Sequence, residues 1–496
     1  MIKHFKNLGK NILIYGLADT VNKLLAIFLV PLFTHYLTPA QYGVAGVLSV
    51  TTTLISSLCD MGLTSGMARY YHEESGENKK KLVSTAQIAM FVLSAIFAGI
   101  AIIFAPQLSN LLFKSPDFQY IIILNFMTIP LTVAISAPLM RLRLEEKAKV
   151  YSYINMSRVA LGLIFNIVLI VFLKRGVNGL FEGPFLQALT FAFGFLIYSI
   201  WTKTVGFSKP MFLKMFAIGF PLIFAGMFFW VINWADRFIL ARISDLTNTG
   251  LYTLGYALGM AIMLPVGAFT TAWVPFYLSI SKEKNAKEVY ALVMTYYSLI
   301  IVFFVLILSV FSRDYFYFFT PENYHSAYII IPVISLAYAI GGAFSIAGSA
   351  SFLAKRTVLD LIAESTAVVL NIGLMFVLIP MFGRMGAAWA TLVAYISLPV
   401  IIIFLTRKIF PIKYDYLRIL RVVLIGLLLY FICEKIYQPN LINLLWRFLV
   451  ILLYPVILFL TGFFQHAEII KIKAILNKIF RKKDIEEEFN QPIQRN

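Results

Sequence analysis

The chain has 496 residues, of which 60% are hydrophobic and only 13% charged, with a formal net charge of +18 at neutral pH. A soluble domain carries roughly 25% charged residues, so this composition leaves no room for a sizeable soluble catalytic domain. A spanning helix needs about 20 mostly apolar residues. The apolar runs here are long and continuous, not alternating, which predicts helices and not a β-barrel.

About fourteen spans are predicted from this pattern, over 12–36, 41–66, 82–105, 118–140, 150–173, 178–201, 214–240, 250–278, 289–311, 325–350, 358–381, 385–406, 416–436 and 441–463. The first is too long for the apolar core of a cleavable leader and lacks a small-residue cleavage site. With the N-terminus in the cytoplasm, the inner loops, helix ends and termini hold about 31 of the 42 Lys and Arg, and the outer loops about 8. That positive-inside asymmetry predicts both termini in the cytoplasm. The basic excess therefore reads as topology and contact with anionic lipid, not as nucleic-acid binding.

Charges inside spans are costly and are functional candidates by default. In the first span Asp19 and Lys23 are four positions apart and share a face. Lys23 is either a cavity cation for an anionic headgroup, held by Asp19 or exchanging a proton with it, or half of a self-contained pair. In the second, Asp60 is either a coupling-ion site or an interfacial carboxylate paired to Arg69. In the fifth, Arg158 lies about 12 Å from the inner end at a 1.5 Å rise per residue. It either clamps a phosphate bidentately or snorkels to the headgroups. In the seventh, Asp236 and Arg237 lie near the outer end, and as neighbours they are expected to point apart. Asn233 shares a face with Arg237, which either guards the outer mouth or closes an interfacial ion pair. In the eleventh, Glu364 falls beside the position that repeats Arg158, so an Arg158–Glu364 pair between the two halves is a specific expectation.

The embedded prolines Pro31, Pro130, Pro221, Pro265, Pro275, Pro332 and Pro399 are expected at kinks. The two cysteines, Cys59 and Cys433, fit neither a disulfide framework nor a metal site and read as small packing residues. No phosphate-cradling glycine loop, nucleophile elbow or zinc-type spacing is present, so no cofactor, metal or enzymatic activity is expected.

The chain reads as duplicated. Leu37-Thr38-Pro39-Ala40-Gln41-Tyr42-Gly43 is echoed by Leu246-Thr247-Asn248-Thr249-Gly250-Leu251-Tyr252, and Asn166-Ile167-Val168 by Asn371-Ile372-Gly373. The offsets are about 205 to 209 residues, an even number of spans, which predicts parallel repeats about an axis along the membrane normal. The expected organisation is an N-lobe (1–205), a C-lobe (206–412), two extra helices (413–464) and a basic amphipathic cytoplasmic tail (465–496).

The segments Asn11-Ile12-Leu13 through Phe33, Leu37 to Gly43, Asp60-Met61-Gly62-Leu63 and Ala235-Asp236-Arg237-Phe238-Ile239-Leu240 resemble the Wzx-type flippases of the multidrug/oligosaccharidyl-lipid/polysaccharide exporter superfamily. The resemblance covers essentially all fourteen spans. It implies an all-α integral membrane transporter in the bacterial inner membrane. It also implies translocation of an undecaprenyl-diphosphate-linked oligosaccharide by alternating access, coupled to an ion gradient, beside membrane lipids and other polysaccharide-assembly proteins. It places the diphosphate in a cationic cavity, by position Lys23, Arg158 and Arg237. Asp19, Asp60, Asp236 and Glu364 remain for ion coupling or gating. A peptidoglycan lipid-precursor flippase and a multidrug/cation antiporter share this architecture. A membrane glycosyltransferase, polymerase or ligase commonly needs a large outer loop, and the longest here, 106–117 and 312–324, are short.

Overall fold

The computed structural model describes residues 29–201, 206–465 and Glu468. Asp19, Lys23, most of the first predicted span and most of the basic tail lie outside them. The regular structure among the described residues is entirely helical. In chain order the helices are α1 (Pro39–Asp60), α2 (Leu63–Tyr70), α3 (Gly76–Ile103), α4 (Ala105–Phe113), α5 (Gln119–Leu144), α6 (Ala148–Ile167), α7 (Gly179–Trp201), α8 (Lys209–Ile243), α9 (Leu246–Gly259), α10 (Met263–Ser279), α11 (Ala286–Phe319), α12 (Ile330–Ala347), α13 (Ser349–Leu353), α14 (Val358–Phe382), α15 (Arg384–Thr406), α16 (Tyr416–Lys435) and α17 (Leu441–Leu460).

Twelve segments of the described chain are long and apolar enough to cross a membrane by length and composition. The 35-residue α8 stands where the seventh span was predicted. This is the helical, multi-pass membrane architecture expected from the apolar runs.

The structure refines three local expectations. The second predicted span, 41–66, is not continuous. Met61 and Gly62 take left-handed backbone conformations, with φ of 50° and 65°, and split it into α1 and α2. The break lets Gly62 meet Gly219 of α8 backbone to backbone, so closely that a Cβ on either would overlap the other's carbonyl oxygen. The eighth predicted span, 250–278, is divided by a 3₁₀ turn at Met260–Ile262 just ahead of Pro265, whose missing N–H cannot bond the carbonyl four residues back. The connection 106–117 is largely helical, as α4 followed by a 3₁₀ turn at Pro116–Phe118. Pro130, Pro221, Pro275 and Pro399 lie inside helices, whereas Pro332 falls in the first turn of α12.

The described chain divides into two compact units. The larger comprises the residues up to Glu283 together with Phe311–Pro411, and the smaller comprises Lys284–Val310 with the residues from Ile412 onward. Within the larger unit the two repeated segments meet. Thr38 caps α1, its hydroxyl accepting from the Gln41 N–H while the Gln41 side chain accepts from the Thr38 N–H. Asp245 caps α9, accepting from the Asn248 N–H at 2.7 Å. A Cβ on Gly43 would overlap the Leu246 carbonyl, and one on Gly250 would overlap the Pro39 carbonyl. Caps, acceptor carbonyls and glycines are each related by the same interval of 207 positions (38 to 245, 39 to 246, 43 to 250). The contact between α1 and α9 is therefore reciprocal, as a pseudo-twofold axis requires. Small residues of this kind let helices approach closely in lipid, where apolar side chains alone give no driving force. The Tyr324 hydroxyl donates to the Leu37 carbonyl at 2.7 Å beside this contact.

The smaller unit packs α16 and α17 against the first part of α11. Arg447 of α17 is 1% exposed, donates from Nε to Asn443 at 2.7 Å and lies over the Tyr437 ring. Tyr454 donates to the Leu299 carbonyl at 3.1 Å. Both cysteines are free and buried, as expected.

Overpacking a tight contact costs about 1–3 kcal/mol. Gly250→Val is therefore expected to lower the thermal unfolding midpoint of the purified protein in detergent. Gly373→Ala is the control, because its added Cβ meets nothing within 4 Å and alanine favours the helix. An equal response in the two variants would contradict the close contact.

Candidate functional site

The strongest polar cluster among the described residues is buried between α8, α9, α12 and α15, all in the larger unit. Asp236 is 0% and Arg237 2% exposed. Buried charges must be paired and hydrogen-bonded to be tolerated, and these two satisfy each other. The Asp236 carboxylate accepts from the Arg237 backbone N–H at 2.9 Å and from its Nη1 at 2.6 Å. Adjacent residues were expected to point apart. The carboxylate instead reaches forward to the next residue and accepts from both its backbone N–H and its Nη1. Nη1 also donates to the Asn233 carbonyl at 2.7 Å, in agreement with the shared face read from the sequence.

Tyrosines complete the cage. Tyr252 donates to the second Asp236 oxygen. Tyr338 and Tyr395 donate to the Asn233 side-chain oxygen at 2.7 and 2.8 Å, and the Tyr256 hydroxyl sits 2.7 Å from that of Tyr338. The guanidinium lies 3.7 Å from the centre of the Tyr256 ring, within cation–π range. Beyond spacing, nothing in the sequence alone sets these tyrosines apart from the others in the spans. Tyr252 and Tyr256 are spaced i,i+4 on one face of α9, which was the available signal.

Beside this cage lies a cavity of about 430 Å³ whose wall includes Asn233, Trp234, Met260, Tyr338, Glu364 and Tyr395. The structure thus brings Glu364 of α14 to the same cavity as the α8 residues. Arg158 of α6 is half-buried, and its Nε has no hydrogen-bond partner. The ion pairs described for the structure do not join it to Glu364. Asp60 ends α1 and accepts from the Thr64 hydroxyl. The expected partner, Arg69, pairs instead with Glu73 one turn along, because the break at Met61–Gly62 starts a new helix that carries Arg69 out to the surface. The repeat-related asparagines share a property: Asn166 Oδ1 and both amide atoms of Asn371 are buried without partners.

Residues 8–281 match the family described as polysaccharide biosynthesis protein. The chain belongs to that family. A protein of the Lsg locus of Haemophilus influenzae is 22% identical over 292 residues, 56% of this chain and 67% of the relative. The fold is similar to that of the lipid II flippase MurJ in an inward closed conformation, with a TM-score of 0.68 and 18% identity over 90% of this chain and 99% of that one. It is also similar to an inward-facing multidrug resistance MATE family transporter of the MOP superfamily, with a TM-score of 0.58 and 11% identity over 84% of this chain and 100% of that one. The family match bears out the resemblance to polysaccharide-biosynthesis proteins read from the sequence segments, and these likenesses agree with the all-helical membrane fold expected from the apolar runs.

Removing one partner of a buried ion pair costs about 3–5 kcal/mol, far more than replacing both. Asp236→Leu and Arg237→Met are each expected to destabilise the protein strongly, and the double variant by clearly less than their sum. Additive losses in a double-mutant cycle on thermal unfolding would show that the pair is not coupled.

Proposed function

We propose that the protein is a flippase that carries an undecaprenyl-diphosphate-linked oligosaccharide from the cytoplasmic to the outer leaflet of the bacterial inner membrane, for assembly of a cell-surface polysaccharide. The observation that carries the reading is the family match over residues 8–281. The fold supports it: the reciprocal α1–α9 contact is what two lobes rocking about one axis need on the side they close. On this reading the lobes are 1–205 and 206–412, both termini face the cytoplasm, and the Thr38–Asp245 end faces out. The protein is a transporter, not an enzyme.

A diphosphate needs fixed cations. Arg158 holds an unspent Nε in a half-buried position and is our first choice for the headgroup, with Lys23 second. Arg237 is consumed by Asp236 and the tyrosine cage, so its role is to hold α8, α9 and α12 together. Glu364, on the cavity wall beside Asn233, is the carboxylate best placed for coupling or gating. Asp60 and Asp19 are the remaining acidic candidates.

The MurJ likeness motivates a second reading, transport of a peptidoglycan lipid precursor, and the MATE likeness a third, export of cationic drugs. Proteoliposome transfer of a labelled undecaprenyl-diphosphate oligosaccharide decides between them. Transfer by the wild type, reduced at least about tenfold in Arg158→Ala (1.4 kcal/mol per tenfold), is expected. Transfer of lipid II alone, or ion-driven efflux of small cations without glycolipid transfer, would replace the proposal. For the inter-lobe pairing, restoration of transfer by Arg158→Glu with Glu364→Arg would favour a pair over a headgroup role for Arg158; with Arg158 at the headgroup, the double change is expected to stay inactive.

A further inference from the structure

A second cavity, also of about 430 Å³, opens among α3, α5, α6 and α7. It lies where α5 ends and α6 begins, well away in sequence from the residues of the tyrosine cage. Its walls are apolar, with Val83, Pro138, Leu142, Ile154, Phe191 and Phe195 contributed by all four helices. Lys80, Arg141 and Lys147 stand on its lining, with Glu145 as the counter-charge.

Glu145 organises two of these cations. It accepts from Arg141 Nε at 2.7 Å and from the Tyr71 hydroxyl at 2.6 Å, while Lys147 Nζ stands 2.6 Å from its other oxygen. Burial alone would raise its pKa. The hydrogen bonds from Lys147, Tyr71 and Arg141 outweigh that and hold it at about 2. Glu145 is therefore a carboxylate at any physiological pH. Three cations against one carboxylate leave the lining net positive. Arg141, whose Nε is given to Glu145, brings to the lining a planar guanidinium of the kind that suits phosphate oxygens.

An apolar slot with a cationic end matches one class of molecule: a chain with a phosphate at its head. Basic pockets between membrane helices are a recurrent way of holding anionic headgroups. We propose that this cavity is a lipid-phosphate site, with the phosphate among Lys80, Arg141 and Lys147 and the first part of the chain along Val83, Leu142, Phe191 and Phe195. The chain source is either a membrane phospholipid or a polyprenyl phosphate, both of which present anionic phosphate oxygens on an apolar chain. The inference stands apart from transport, because its readout is binding.

The test is native mass spectrometry of the purified full-length protein, titrated with phosphatidylglycerol, phosphatidylcholine, undecaprenyl phosphate and inorganic phosphate. Two lysines near a headgroup give a preference of at least about tenfold for phosphatidylglycerol over phosphatidylcholine. Lys80→Gln with Lys147→Gln is expected to abolish that preference. Gly194→Leu keeps every charge and fills the slot from a position where an added Cβ meets nothing within 4 Å, so it is expected to weaken phosphatidylglycerol binding and remain folded. Displacement of phosphatidylglycerol by undecaprenyl phosphate assigns the site to polyprenyl lipid, and failure to displace assigns it to phospholipid; both keep a lipid-phosphate site. Equal binding of the two phospholipids, no effect of either variant, or displacement by inorganic phosphate as effective as by lipid would overturn the proposal. A protein that binds the lipid but moves no glycolipid keeps this inference and loses the transport reading.

Discussion

Helices in a membrane gain little from burying apolar side chains against each other, because lipid tails are as apolar as leucine. What holds them in register is close backbone approach and polar contact. Here that constraint is met where Gly43 faces the Leu246 carbonyl and Gly250 the Pro39 carbonyl. With any larger residue at either glycine, α1 and α9 would have to part. The capping of both helices follows from the same place. Thr38 and Asp245 tie down the first N–H groups of α1 and α9, so the two helices begin at fixed points and their fifth residues meet.

The buried polar cage is the second device. Asn233 accepts from two tyrosines through its side chain and from Arg237 and Tyr256 through its carbonyl. One asparagine thereby connects α8, α9, α12 and α15. The charges it gathers are compensated locally, so the cage costs little to keep in a medium of low polarity. By the same token it is not an open cation in a cavity. Arg158, lacking a partner on Nε, has the opposite character, and the two arginines differ in what they can offer a ligand.

Much of this was legible in the sequence. Continuous apolar runs give the helices, since lipid admits little else, and the repeated Leu37–Gly43 and Leu246–Tyr252 segments pointed to the two places that later prove to touch. The charged positions Asp236, Arg237 and Glu364 were visible because charges stand out in apolar text. Partners were harder to read. Whether Asp60 meets Arg69 or Thr64 depends on a left-handed turn at Met61–Gly62, and that turn depends on Gly219, more than 150 positions away. The four tyrosines of the cage are hidden among the 26 of the chain, because an aromatic residue in a span looks the same whether it packs, belts or bonds. The lipid-shaped cavity among α3, α5, α6 and α7 belongs to no motif: its lining is drawn from four helices and exists only once they pack.

The α1–α9 contact has an evolutionary consequence. It is written in two glycines and two backbone carbonyls, and every residue type carries a carbonyl. Most side chains around it are therefore free to drift without disturbing the approach. A fold joined in this manner can diverge until little identity remains and still close the same way. That offers a physical account of how chains only 18% identical can share one architecture over 90% of this chain.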